Sequence, residues 1–236
     1  MKKILALISA ALLCIASVNA QFDDGKKVKF GFDLGVGYAN QWGNAHDAYA
    51  KTGIFSFLFG IDADIKLPGK QFLEVGVDFT RKGCRYEGTE WVSNGEPWGL
   101  YEEDKTVANL YYLQIPILYG IELPIENEIA WRFMVGPYFG IGATGDRRTD
   151  YNNSIWQNEV KSLLRDPSTI ASFSEDYQYG YKRFDVGARI QTGVQVRRVS
   201  YMISYEIGLR NIMNDKKYDD LKAHNNGIMA MVSFRF

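Results

Sequence analysis

The stretch Ile228-Met229-Ala230-Met231-Val232-Ser233-Phe234-Arg235-Phe236 decides the fold. Its even positions are Ile, Ala, Val, Phe and Phe, and its odd positions are Met, Met, Ser and Arg. Successive side chains of a β-strand point to opposite faces, so a period of two marks a strand whose faces meet different surroundings. One face here is apolar throughout and ends on an aromatic. The other carries a charge next to the last residue.

Seven further segments carry the same alternation. The first, about 28–38, sets Val28, Phe30, Phe32, Leu34, Val36 and Tyr38 against Lys29, Gly31, Asp33, Gly35 and Gly37. The second, about 53–67, sets Phe55, Phe57, Phe59, Ile61, Ala63, Ile65 and Leu67 against Ser56, Gly60, Asp62, Asp64 and Lys66. The third, about 71–82, opposes Leu73, Val75, Val77 and Phe79 to Glu74, Gly76, Asp78 and Thr80. The fourth, about 107–123, opposes Leu113, Ile115, Ile117, Tyr119, Ile121 and Leu123 to Gln114, Pro116, Leu118, Gly120 and Glu122. The fifth, about 129–143, shows Trp131, Phe133, Val135, Phe139 and Ile141 on one face and Arg132, Met134, Gly136, Tyr138 and Gly140 on the other. The sixth, about 182–197, alternates Phe184, Val186, Ala188, Ile190, Val194 and Val196 with Asp185, Gly187, Arg189, Gln191, Gly193, Gln195 and Arg197. The seventh, about 200–212, alternates Tyr201, Ile203, Tyr205, Ile207 and Leu209 with Ser204, Glu206, Gly208 and Arg210.

The connections alternate as well. Tight turns are expected near 67–70, 124–128 and 198–199, and longer loops over about 40–52, 83–106, 144–181 and 213–226. Short turns on one rim and long loops on the other predict an all-β fold, an eight-stranded antiparallel transmembrane β-barrel. Its turns are periplasmic and its loops extracellular, in the Gram-negative outer membrane. A soluble β-sandwich or lipocalin-like barrel would face its apolar side inward and leave the outward aromatics without purpose.

The other features agree. Met1-Lys2-Lys3, the apolar run 4–18 and Val18-Asn19-Ala20 read as a cleaved signal peptide over 1–20, leaving 21–236 as one barrel domain. Cleavage removes Lys2 and Lys3 and leaves 25 basic against 28 acidic side chains, a balance that offers nothing to nucleic acid. The mature chain keeps a single cysteine, Cys84, so an internal disulfide is excluded. A mean hydropathy of −0.23 suits a barrel, in which alternate residues alone meet lipid.

The polar faces then point into the lumen. The acids assigned there are Asp33, Asp62, Asp64, Glu74, Asp78, Glu122, Asp185 and Glu206; the bases are Lys29, Lys66, Arg132, Arg189, Arg197, Arg210 and Arg235. Unpaired charges in a narrow barrel are costly, so this near balance predicts a packed salt-bridge core. Eight strands leave room only for side chains to fill. Neither a metal nor a cofactor is expected.

Function then moves to the loops. Trp91, Trp98, Tyr101 and Trp156 are the candidate binding aromatics, with an aromatic girdle or a cover for the barrel mouth as the plainer assignment. Ser154 and Gln157 form a capping box for a short helix over about 154–165, with Ile155, Val160, Leu163 and Leu164 on one face. Asp215, Asp219 and Asp220 are read as a solvated turn. They could hold a divalent cation, or bridge to lipopolysaccharide through one. His46 and His224 fall in predicted loops, far from any hydrolase motif, so the chain is read as non-enzymatic. A narrow channel and a lipid A-modifying enzyme are the alternatives.

Three segments resemble one family. Tyr112-Leu113-Gln114-Ile115-Pro116-Ile117-Leu118, Gly136-Pro137-Tyr138-Phe139-Gly140 and Tyr205-Glu206-Ile207-Gly208-Leu209-Arg210-Asn211-Ile212 are similar to strands of the PorT-like outer-membrane barrels. The resemblance spans about 28–236 and implies an eight-stranded barrel without implying one activity. Its founding member is associated with protein secretion, so an envelope protein partner is an expectation. The terminal strand ending at Phe236 looks like the signal read by the barrel-assembly machinery. Lipopolysaccharide and outer-membrane lipid are expected neighbours. Pro116 within a strand predicts a bulge or a locally unpaired amide.

Overall fold

Alternation of this kind satisfies the backbone in lipid only if the sheet closes on itself, because a membrane offers no water to an open edge. The computed structural model describes residues 27–44, 50–92, 100–126, 128–152, 169–171, 173, 180–214 and 221–236, and in it the sheet closes. The strands are β1 (Val28–Trp42), β2 (Ala50–Thr52), β3 (Ile54–Lys66), β4 (Gln71–Val92), β5 (Leu100–Glu126) and β6 (Ile129–Asn152). They continue with β7 (Thr169–Ala171), β8 (Gly180–Tyr181), β9 (Phe184–Val196), β10 (Val199–Gly208), β11 (Met213–Asn214) and β12 (His224–Arg235). The long strands β1, β3, β4, β5, β6, β9, β10 and β12 pair in that order, each antiparallel to the next, and β12 returns to β1. This is an eight-stranded antiparallel barrel.

The register fixes its shape. Pairs run from Tyr38 to Ile228, Tyr205, Ile190, Val135, Tyr119, Leu73 and Ile65, and reach β1 again at Val28, ten residues from the start. A stagger of ten over eight strands tilts them by about 40° at the usual strand spacing. All nine residues on this path face outward.

The apolar faces lie outside as expected. Phe30, Val36, Tyr38, Phe55, Phe59, Ile61, Leu113, Ile141, Ile203 and Ile228 are among the exposed large hydrophobics. On β4 the outward apolar run lies between Gln71 and Arg81. Ten residue steps at this tilt span about 25 Å, the height of an outer-membrane apolar band.

Five strands are longer than the sequence suggests, with β1 reaching Trp42 and β12 starting at His224 as well as β4, β5 and β6. Within the expected loops 83–106 and 144–181, residues 83–92, 100–106 and 144–152 are strand: β4 runs on to Val92, β5 starts at Leu100, and β6 runs to Asn152. Their backbones pair from Gly83↔Asn109 to Val92↔Leu100. The apolar alternation stops where lipid stops, whereas backbone pairing does not depend on it. Past that point the outward side turns mostly polar, with Arg85, Glu87, Lys105 and Asn109, and the sequence pattern no longer marks a strand.

The turns hold the other end. Gly69 supplies a positive φ of 79° between β3 and β4. Arg197 takes φ 56° in the two-residue link from β9 to β10, where its amide donates to Glu128 O at 2.9 Å. Pro116 makes no bulge. The β4–β5 register is the same at Val75↔Ile117 and Asp78↔Gln114, and the ladder omits the pairs between them. The proline ring meets that gap from beside Gly76.

Candidate functional site: the filled lumen

Inward residues build four layers along the barrel axis. Nearest the turns is a charged floor. The Arg235 guanidinium lies 2.8 Å from Glu74, 2.9 Å from Asp62, 3.0 Å from Asp64 and 3.4 Å from Asp33. Arg132, from the far side of the ring, stands 2.7 Å from Asp64 and 3.8 Å from Glu74, and donates to Gln195 Oε1 at 2.8 Å. Its guanidinium lies 4.2 Å from the Phe72 ring centre. Ser200 Oγ reaches Gln195 Oε1 at 3.5 Å, so all eight barrel strands enter this layer together with Glu122, 3.9 Å from Arg132.

Above the floor sits an apolar layer of Leu58, Leu118, Met134, Met202, Met229 and Met231. The third layer is charged again. Arg189 pairs with Asp78 and Glu206, each at 2.6 Å. Lys82 Nζ lies 2.9 Å from Glu206, 3.4 Å from Asp185 and 4.0 Å from the Tyr138 ring centre. Asn225 Nδ2 and Tyr138 Oη donate to Asp185 at 3.0 and 3.3 Å.

The fourth layer is an apolar cap. Cys84, Leu110, Tyr112, Phe173, Tyr181, Ile212 and Met213 pack together, with Phe173 edge-on to Tyr112 at 5.6 Å. Gln41 Oε1 accepts from Cys84, Tyr86 and Tyr181 on its underside. Between the floor and the turn end remains a cavity of about 200 Å³ lined by Lys29, Lys66, Glu122, Arg132 and Arg235, among others.

Most of the expected lumen residues meet here: Asp33, Asp62, Glu74, Asp78, Arg132, Asp185, Arg189, Glu206 and Arg235 are buried and paired. Glu122 is half-exposed at the rim of the floor. Arg210 requires correction. β10 ends at Gly208, so strand parity no longer applies two residues later. Arg210 is exposed, with its guanidinium 4.9 Å from the Phe184 ring centre.

The near balance of charge also requires correction. Among the described residues seven buried acids face four buried bases, Lys82, Arg132, Arg189 and Arg235. Lys29, Lys66 and Arg197 sit near strand ends, where a long side chain reaches the rim and stays wet. Lys82 was missed although its phase is legible, two residues past inward Thr80. Asp62, Asp64 and Glu74 each offer an oxygen within 4.8 Å of the others, and the cation among them is the Arg235 guanidinium.

The loop predictions fare differently. The backbones of Trp91 and Tyr101 pair with each other at the top of the β4–β5 hairpin. Their side chains lie outside the described residues, as do Trp98, Trp156, the helix expected over 154–165, residues 1–20, His46, Asp215, Asp219 and Asp220. His224 belongs to β12 rather than to a loop, and stacks on Trp42 with ring centres 4.2 Å apart.

No curated protein matches the chain. Among solved structures, Neisserial surface protein A is similar at 14% identity, covering 89% of this chain and 100% of that one, with a TM-score of 0.44. OprG from Pseudomonas aeruginosa is similar at 10% identity, with 87% and 95% covered and a TM-score of 0.40. Ail of Yersinia pestis is similar at 11% identity, with 89% and 100% covered and a TM-score of 0.39. A family model described as the outer membrane protein beta-barrel domain matches residues 19–214, a span that includes seven of the eight barrel strands. The chain therefore belongs to the outer membrane protein beta-barrel domain family, and with it to the Gram-negative outer membrane that this family implies.

Proposed function

We propose that this protein is a closed, non-enzymatic barrel of the PorT-like subfamily. It serves as a surface scaffold or accessory subunit of an envelope, secretion or uptake complex and acts through its outward hairpins. The observation that carries this reading is the lumen. Two ion-pair networks cross it at different heights, with apolar layers between and above them. A path through the barrel would have to break both networks and part Leu110, Tyr112 and Phe173.

The subfamily assignment has support from where its motif residues sit. Tyr112, Gln114, Tyr138 and Glu206 all line the third layer or its cap, and Gln114 lies 3.4 Å from Arg189. The expected partners are lipopolysaccharide, an envelope protein, and the barrel-assembly machinery at β12. At that strand Phe236 N donates to Phe30 O at 2.9 Å, and its ring packs on Phe234.

Cross-linking the tagged protein in its native outer membrane, followed by mass spectrometry of what is captured, tests the accessory role. A stoichiometric envelope protein is the expected result, and recovery of the barrel alone would remove it. Steady ion conductance in planar bilayers would instead favour a narrow channel fed from the 200 Å³ cavity at the turn end. Phe236→Ala is expected to lower the amount of barrel reaching the outer membrane.

A further inference from the structure

We propose that Asp33 of β1 and Asp78 of β4 share one proton across Gly60 of β3, and that this proton ties the stability of the barrel to pH.

The three residues form one row of the sheet. Asp33 pairs with Gly60, and Gly60 pairs with Asp78. All three belong to the inward faces, and the middle one has no side chain to keep the outer two apart. A Cβ placed on Gly60 would stand 2.2 Å from Asp78 Oδ1 and 3.5 Å from Asp33 Cβ. Asp78 therefore leans over the glycine toward Asp33. Both aspartates are buried. At this row the charged floor, through Asp33, meets the charged layer above it, through Asp78.

Neither aspartate has a cation of its own. The Arg235 guanidinium lies 3.4 Å from Asp33 and closer to Asp62, Asp64 and Glu74. Arg189 stands 2.6 Å from Asp78 and equally near Glu206. The other two buried cations face other acids: Lys82 lies against Glu206 and Asp185, and Arg132 against Asp64 and Glu74. Gln114, in register with Asp78, and Tyr138 add no charge. Glu122, Lys29, Lys66 and Lys70 border the cavity below the floor, toward the turn end. Among the described residues the pair thus sits in a lumen where acids outnumber bases, at the point where the cations are most divided.

Two neighbouring carboxylates shut away from water do not both keep their charge unless each is matched. One proton, taken from solvent, removes one of the two charges. It leaves the other to the guanidiniums and gives the pair a hydrogen bond in place of a repulsion. In the unfolded chain the same aspartates give up their protons near about pH 4. Above that pH the folded chain binds one proton more than the unfolded chain, until the pair itself lets go. Stability therefore falls as pH rises through this window.

The test places the full barrel in phosphatidylcholine vesicles and records infrared spectra at about pH 5 and about pH 8, a range in which exposed aspartates are ionised. The wild type should show the carbonyl band of a protonated carboxylic acid at the lower pH and lose intensity at the higher. Asp78→Asn and Asp33→Asn should each remove the part that changes. In urea unfolding one such proton raises the wild-type unfolding constant by up to about tenfold per pH unit. D78N should lack that rise, and at about pH 8 its midpoint should match or exceed the wild type. An ordinary ion pair predicts the reverse, because D78N takes a partner from Arg189. A wild type without the acid band overturns the proposal whether or not the variants fold. So does a folded D78N that keeps the changing band, or one with a midpoint below the wild type at the higher pH.

Discussion

Lys82 of β4 and Glu206 of β10 meet at 2.9 Å across the whole width of the lumen. In the ring of eight the two strands that carry them are four places apart, so the bridge spans a diameter. Both side chains are almost fully buried. A buried pair of this kind is costly to break, because the abandoned partner keeps its charge without solvent.

Lys82→Ala leaves Glu206 to Arg189 alone and strips Asp185 of its cation. The expected loss of stability is about 3 kcal/mol. Urea unfolding in lipid vesicles, followed by tryptophan fluorescence, reads it directly. A loss below about 1 kcal/mol, the size of an exposed pair, would show that the bridge does not hold the barrel together.

Arg235 should matter more. It is the shared partner of Asp33, Asp62, Asp64 and Glu74. Arg235→Gln is expected to cost about 3–5 kcal/mol, and adding Asp62→Asn should return part of that by removing one stranded charge. Strict additivity of the two substitutions in the same unfolding assay would argue that they do not interact.

Gly120 tests the packing of the floor. A Cβ built on it stands 2.3 Å from the Phe72 ring, which lies beneath the Arg132 guanidinium. Gly120→Val therefore displaces the ring, with an expected cost of about 1–3 kcal/mol. Combining it with Phe72→Ala should cost less than the sum of the two single changes. A full sum would mean that the ring moves aside without penalty.

Cys84 is fully buried beneath the cap, 3.2 Å from Gln41 Oε1. A thiol shielded in this way is inert. A maleimide reagent should leave the folded barrel unlabelled over hours and label it promptly after unfolding. Rapid labelling of the folded protein would mean that the cap opens.

The interior was legible only in part, and the reason differs from residue to residue. Asp62 and Asp64 could be placed inward because they sit in mid-strand, where a period of two leaves no choice of face. Arg210 points out although parity assigns it inward, because the strand that sets parity ends at Gly208. Arg197 escapes the same parity because it occupies a turn, at φ 56°. Segment 83–92 carries no strand signal in the sequence because hydrophobic alternation reports lipid contact, whereas backbone pairing continues without it.

The alternation of apolar and polar residues by itself determined that there are eight lipid-facing strands, which face of each meets lipid, and where the short turns fall. These are consequences of local geometry, since each residue's face depends only on its neighbours along the strand. The tertiary structure alone decided the stagger of ten, and with it which side chains share a height. That stagger brings Arg235 to four carboxylates on three strands and sets Lys82 opposite Glu206. Among the described residues it also leaves seven buried acids with four buried bases. Such pairings join residues up to about two hundred positions apart, and the register of a closed sheet is the only thing that sets them side by side.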